Sequence, residues 1–189
     1  MIDDAIERAE ESNEAAEKLE RAREKAFRDC LSLMVGGFAV ALAVVHMAAA
    51  GAQRESLLKG IEASDAFAYV QAKIVRETIL KTDAASAGAS DADKKAWADE
   101  ATRLRGPDDA GHGIDQLQKQ GAQEREEGNT ATAKAESYEL GETALQLAIV
   151  LLSIALVARS FWVAGTATLF AVAGIVLAVA THFGLTIAF

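Results

Sequence analysis

Three apolar stretches, residues 30–52, 140–158 and 161–183, leave this chain few ways to fold. A bilayer's hydrocarbon core is about 30 Å thick and is crossed by roughly 20 apolar residues rising about 1.5 Å each along a helix. Each stretch approaches or exceeds that length. Inside lipid the backbone must satisfy its own hydrogen bonds, so all three are predicted to be transmembrane helices. The fold class that follows is an all-α membrane protein. The second and third spans are separated only by Arg159 and Ser160, whereas a long charged segment divides the first from the second.

The chain is 51% hydrophobic yet 25% charged, with a net charge of −9. The charges are segregated: residues 1–29 and 53–143 hold every basic side chain but Arg159, and carry the acidic surplus. Such a surplus repels nucleic-acid phosphates and anionic headgroups, so neither is expected to partner the polar portions. Cys30 is the sole cysteine, which excludes an intrachain disulfide and thiol metal motifs. At the end of the first span it reads as a small packing residue. Residues 1–28 are too long and acidic for a signal peptide, and the apolar run after them is too long for its core.

Orientation is read from basic residues near the span ends. Arg21, Arg23, Lys25 and Arg28 precede the first span and Arg159 lies between the other two, against Arg54, Lys59 and Lys134 beside the long segment. The expected location is the bacterial inner membrane, multi-pass, with the N-terminus and Arg159 cytoplasmic. Segment 53–143 and Phe189 then lie on the periplasmic side.

Residues 3–29 lack Gly and Pro, and Ala15, Leu19, Ala22 and Ala26 recur at helical spacing, predicting an amphipathic cytoplasmic helix that runs into the first span. Beyond that span Leu58, Ile61, Asp65, Ala68, Ala72, Val75 and Ile79 alternate three and four apart, a heptad seam, with Phe67, Val70 and Ile74 as a second stripe. Two stripes imply two neighbours. Residues 82–90 weaken the helix around Gly88. A short helix bearing Trp97 and Leu104 should stop at Gly106-Pro107-Asp108-Asp109. A return helix follows through Ile114, Leu117, Gly121, Glu124, Gly128, Ala131, Ala135 and Tyr138. Its two glycines cost about 1 kcal/mol each relative to alanine, so it must lean on the outgoing arm. The expected plan is thus a cytoplasmic helix (1–29), a first span (30–52), a periplasmic helical hairpin or coiled coil (53–139), two further spans (140–158 and 161–183) and a short tail (184–189).

The stretch Ala63-Ser64-Asp65-Ala66-Phe67-Ala68-Tyr69-Val70-Gln71-Ala72-Lys73 resembles the signature of an uncharacterised bacterial membrane-protein family, a domain of unknown function, whose pattern looks like A-S-D-x-W-A-Y-Y-Q-A-K after a first span. Phe67 stands where tryptophan is usual, and Val70 replaces the second aromatic. Tyr138-Glu139-Leu140, Ala144 to Ile149, Ser153 to Leu156 and Arg159 with the aromatic pair after it extend the similarity over nearly the whole chain. The resemblance implies the same order of span, acidic hairpin and twin spans, and brings no activity with it.

No nucleotide loop, nucleophile elbow, metal-protease pair or glycine fingerprint occurs, so the expectation is a non-enzyme without catalytic residues, metal or cofactor. One titratable group can be argued: His46, Glu142, Gln146 and His182 fall at about one depth near the outer ends of the spans. Ionisable residues within spans cost about 2.5–3.5 kcal/mol at the bilayer centre and often mark function. Structural anchoring, a proton relay and a metal or ligand site all fit these four. The pairs Gly37 and Ala41, Ala39 and Ala43, and Gly174 and Ala178 let helices approach closely. Asp65, alone acidic on the outgoing seam, either turns to solvent or fixes register. The expected function is an oligomeric scaffold or accessory interaction protein, with a homo-oligomeric channel or transport accessory as the alternative. Its expected partners are copies of itself and the bilayer, with no nucleic acid.

Overall fold

The computed structural model describes residues 2–186, and the side chains of 13, 14 and 16–186. Ala15, whose side chain belongs to the expected amphipathic repeat, and Phe189, expected outside the cytoplasm, fall outside these. Four helices follow in order, α1 (Ile2–Ala84), α2 (Asp91–Arg105), α3 (Ile114–Ala158) and α4 (Phe161–His182), with no strand among the described residues. Three of them, α1, α3 and α4, are long and apolar enough to cross a membrane. The protein is therefore all-helical with three candidate spans.

α1 runs unbroken because no proline precedes Pro107 and its glycines at 36, 37, 51 and 60 sit within regular helix. Exposed Glu14–Lys18 and Glu17–Arg21 pairs, four residues apart, each add a few tenths of a kcal/mol. It ends where 82–90 was expected to weaken it. α2 is punctuated at both ends: the Ser90 hydroxyl oxygen accepts from the Asp93 amide at 3.2 Å, Asp91 and Asp93 occupy the first turn and Arg103 and Arg105 the last. Both charge placements favour the helix dipole.

The chain divides into two compact units, one comprising the sequence up to Ala49 and from Glu136, the other Ala50–Ala135. In the first, Leu31 of α1, Leu152 and Ala155 of α3 and Ala167 of α4 form a core, with Phe27, Met34, Val35 and Phe38 packed against it. Lipid tails are as apolar as leucine, so helices that cross a bilayer are held together by close packing and not by water exclusion. α3 contributes Leu145, Ala148, Leu152 and Ala155, and α4 contributes Ala167, Ala171, Gly174, Ala178 and Thr181, all buried. At the tightest point a Cβ on Gly174 would lie 2.7 Å from the Gly141 carbonyl oxygen, and one on Gly141 2.9 Å from that of Gly174. The pair Gly174 and Ala178 thus serves α3–α4 packing. Gly37, Ala39 and Ala43 are exposed and Ala41 half-buried, so α1's small pairs pack less closely. Cys30 is exposed, contrary to the packing role expected of it, because the buried position falls to Leu31. Leu19, Ala22 and Ala26 are exposed too, leaving the N-terminal apolar face uncovered within the chain.

In the second unit the return face of α3 is the expected one: Ile114, Leu117, Gly121, Gly128, Ala131 and Ala135 are buried and Glu124 half-buried. Its partner face on α1 comprises Ala52, Ser56, Lys59, Ala63, Ala66, Val70, Lys73 and Glu77, buried or half-buried at heptad spacing. This face is offset by two residues, about 200° around the helix, from the Leu58–Ile79 seam, which points away from α3. Glycine explains the choice. A Cβ on Gly121 would come within 3.2 Å of the Phe67 ring and 3.3 Å of the Ala66 Cβ, and one on Gly128 within 3.3 Å of the Lys59 Cβ. α3 thus seats itself on the small-residue face of α1.

Candidate functional site

The chemistry of this chain lies in three places along the apolar stretches and the charged segment. The first is within the apolar stretches. His46 of α1 places Nδ1 3.2 Å from the Glu142 carboxylate of α3, and the Gln146 amide donates to Glu142 Oε1 at 3.0 Å, one helical turn along. Glu142 is half-buried, whereas the His46 side chain is 67% exposed within the single chain. His182, expected at the same depth, meets Phe183 edge-on with ring centroids 5.7 Å apart. It lines an apolar groove with Val45, Tyr138 and Val179, and no contact joins it to the other three among those described. The arrangement can tie α1 to α3 through an imidazole–carboxylate contact held by an amide.

The second is the family-like motif. Its members serve two faces of α1: Ala63 is buried against α3, and Lys73 half-buried, while Ser64, Asp65, Ala68, Tyr69, Gln71 and Ala72 are exposed. Tyr69 stacks on the His112 ring, with centroids 6.4 Å apart and planes 20° from parallel. The Lys73 ammonium donates to the His112 carbonyl. His112 lies in the loop between α2 and α3, which closes on itself. The Gln116 amide oxygen accepts from the Asp108 and Gly113 backbone N–H groups, each at 3.0 Å, and Asp108 accepts from the His112 N–H at 2.5 Å. Gly111 takes a φ of +76° there, a conformation that glycine adopts without strain. Beneath the loop Val70, Ile114, Leu117 and half-buried Leu104 form a small core. The motif thereby clasps the α2–α3 loop to α1. Asp65 opens on a shallow hollow beside Tyr69 and His112.

The third comprises two ion networks that the sequence reading did not single out. Lys59 bonds Glu124 at 2.6 Å, Glu127 at 2.9 Å and Glu62 at 3.2 Å. Those three carboxylates, Glu124 foremost, hold the Lys59 ammonium charged well above its ordinary range. Lys59 in turn, with Gln123, depresses Glu127. Glu77, its side chain only 3% exposed, accepts from Arg105 at 2.8 Å and Lys81 at 2.5 Å. The Arg105 hydrogen bond, then that of Lys81, holds its carboxyl below its ordinary 4.5, and Arg105 is raised in return. Beside the Lys59 network, the Ser56 and Thr132 hydroxyls meet at 2.6 Å. The signal in the sequence is spacing: Ser56, Lys59 and Glu77 belong to one heptad face of α1.

Among the described residues no three His, Cys, Asp or Glu side chains converge as metal ligands. No curated protein and no solved structure matches the chain. A family does match, over residues 27–184, a range taking in all three apolar stretches, the motif with its clasped loop, and the His46–Glu142 contact. The chain accordingly belongs to the family described as Domain of unknown function (DUF4337).

Proposed function

We propose that this protein is a non-enzymatic scaffold that assembles copies of itself in a bacterial inner membrane, with segment 53–139 projecting as a periplasmic helical hairpin. One observation carries the reading. Leu58, Ile61, Val75 and Ile79, a heptad stripe in the charged segment, are 51–58% exposed in the single chain, although α3 already occupies the opposite face of α1. A stripe of that length and period is the surface by which helices pair. Asp65, on the same stripe, would set register between copies.

The test is the mass of the detergent-solubilised particle. The natural chain should run as a uniform multimer, and Ala68→Glu with Ala72→Glu should reduce it toward one chain. Both alanines are exposed, so the charges spare the fold of the single chain. A monomeric natural chain sinks the proposal, and a variant of unchanged mass moves assembly from the seam to the spans.

The exposed His46 favours a second reading, a homo-oligomeric channel or transport accessory. A polar side chain on an apolar span is costly against lipid and is better placed against another copy or a water-filled path. Ion flux in proteoliposomes, lost on Glu142→Gln, would support it; a stable multimer without flux supports the scaffold.

A further inference from the structure

We infer that the cavity between the N-terminal part of α1 and the α3–α4 turn binds the headgroup phosphate of an anionic glycerophospholipid. The cavity, of about 470 Å³, is floored by Phe27 and Phe161, whose rings pack with centroids 4.3 Å apart, and is rimmed by Arg23, Arg28 and Arg159. Glu20 and Glu24 also line it. Arg159 pairs with Glu24 at 2.6 Å. The remaining rim charges, two guanidiniums and one carboxylate, leave a surplus matched by a headgroup of one net negative charge, such as phosphatidylglycerol.

Three observations converge here. The cavity lies just before the apolar run of α1 and between those of α3 and α4, the depth at which a span meets headgroups. Its local charge is opposite to that of the acidic chain as a whole, so the general repulsion of anionic lipid does not extend to it. Finally, Arg159 is the one described non-glycine residue with positive φ, at +52°. The Ser160 N–H donates back to the Ala155 carbonyl at 3.3 Å, the closure by which helices end on a left-handed residue. Glycine adopts that conformation without strain, so the guanidinium is held there against the backbone's preference. Guanidinium forks match phosphate oxygens two at a time, and the aromatic floor suits the glycerol and first acyl carbons.

Native mass spectrometry of the full chain tests this, with phosphatidylglycerol, phosphatidylcholine or inorganic phosphate added to the detergent solution. Phosphatidylglycerol should be retained at least tenfold better than phosphatidylcholine, and inorganic phosphate should not displace it. Arg23→Gln with Arg28→Gln should abolish the preference while leaving helix content by circular dichroism unchanged; Arg23→Lys with Arg28→Lys should retain part of it. Equal retention of the two lipids by the natural chain, displacement by inorganic phosphate, or an intact preference in the folded glutamine variant would each overturn the lipid assignment. The selectivity of the natural chain remains decisive if that variant does not fold. The same spectra give the number of chains, so failure of lipid selectivity is read separately from failure of self-assembly.

Discussion

Glu77 is the buried member of one of two ion pairs that join α1 to α2, the other being Arg76–Glu100 at 2.6 Å. A carboxylate this buried is costly unless paired, and Arg105 and Lys81 supply the pairing. Glu77→Gln keeps the shape and removes the charge, and should cost about 2 kcal/mol at neutral pH, the worth of hydrogen bonds to a charged group. The sign with pH follows from the depressed carboxyl: its contribution is present above the ordinary 4.5 and is lost as pH falls through its lower folded value. Thermal melts followed by circular dichroism should therefore separate the natural chain from the variant at pH 7 and bring them together in acid. A gap that persists below about pH 3 would assign the loss to packing instead. Lys59 behaves oppositely, its raised value keeping its contribution through neutral pH until the solution is strongly alkaline. Tyr69 and Lys73 were legible as a motif, but their purpose was not, because the His112 ring and carbonyl that they meet lie some forty residues along the chain.

At the scale of elements, helix ends were the readiest features to read, since Ser90, Gly106-Pro107 and the Arg159-Ser160 break act through local chemistry alone. Which faces meet is a different matter. The Leu58–Ile79 stripe and the Ser56–Glu77 face share one period on one helix, and the first is the more apolar. The glycines of α3 mark where the helices meet: a Cβ on Gly121 would press on Ala66 and the Phe67 ring, and one on Gly128 on Lys59, all on or beside the Ser56–Glu77 face. Gly141 and Gly174 act likewise between α3 and α4. Gly174→Ala should therefore destabilise by about 1–3 kcal/mol through overpacking, although alanine is the better helix former. Gly36→Ala, where a Cβ would meet nothing within 4 Å, should stay within about 0.5 kcal/mol of the natural chain. Thermal melts of the two in one detergent decide it. Equal stability would mean that the α3–α4 approach has slack.

For the molecule as a whole, three candidate spans allow two topologies, and the proposed one, with the basic residues at the span ends on the cytoplasmic side, can be tested directly. In a Cys30→Ala background, cysteine at Ala89 should react with an impermeant thiol reagent in intact spheroplasts, and cysteine at Asn13 only after permeabilisation. The reverse pattern would put the charged segment in the cytoplasm. The helical class and the candidate spans are legible in the chain before it folds, because stretch length and hydropathy belong to each segment alone and no partner is needed to read them. Folding alone reveals that α3 rests on the small, polar face of α1, that His46 meets Glu142 while His182 faces an apolar groove, and that Arg159 pairs with Glu24 from far earlier in the chain. Those are properties of two surfaces brought together, where a methyl group that a glycine lacks can outweigh a whole stripe of apolar side chains.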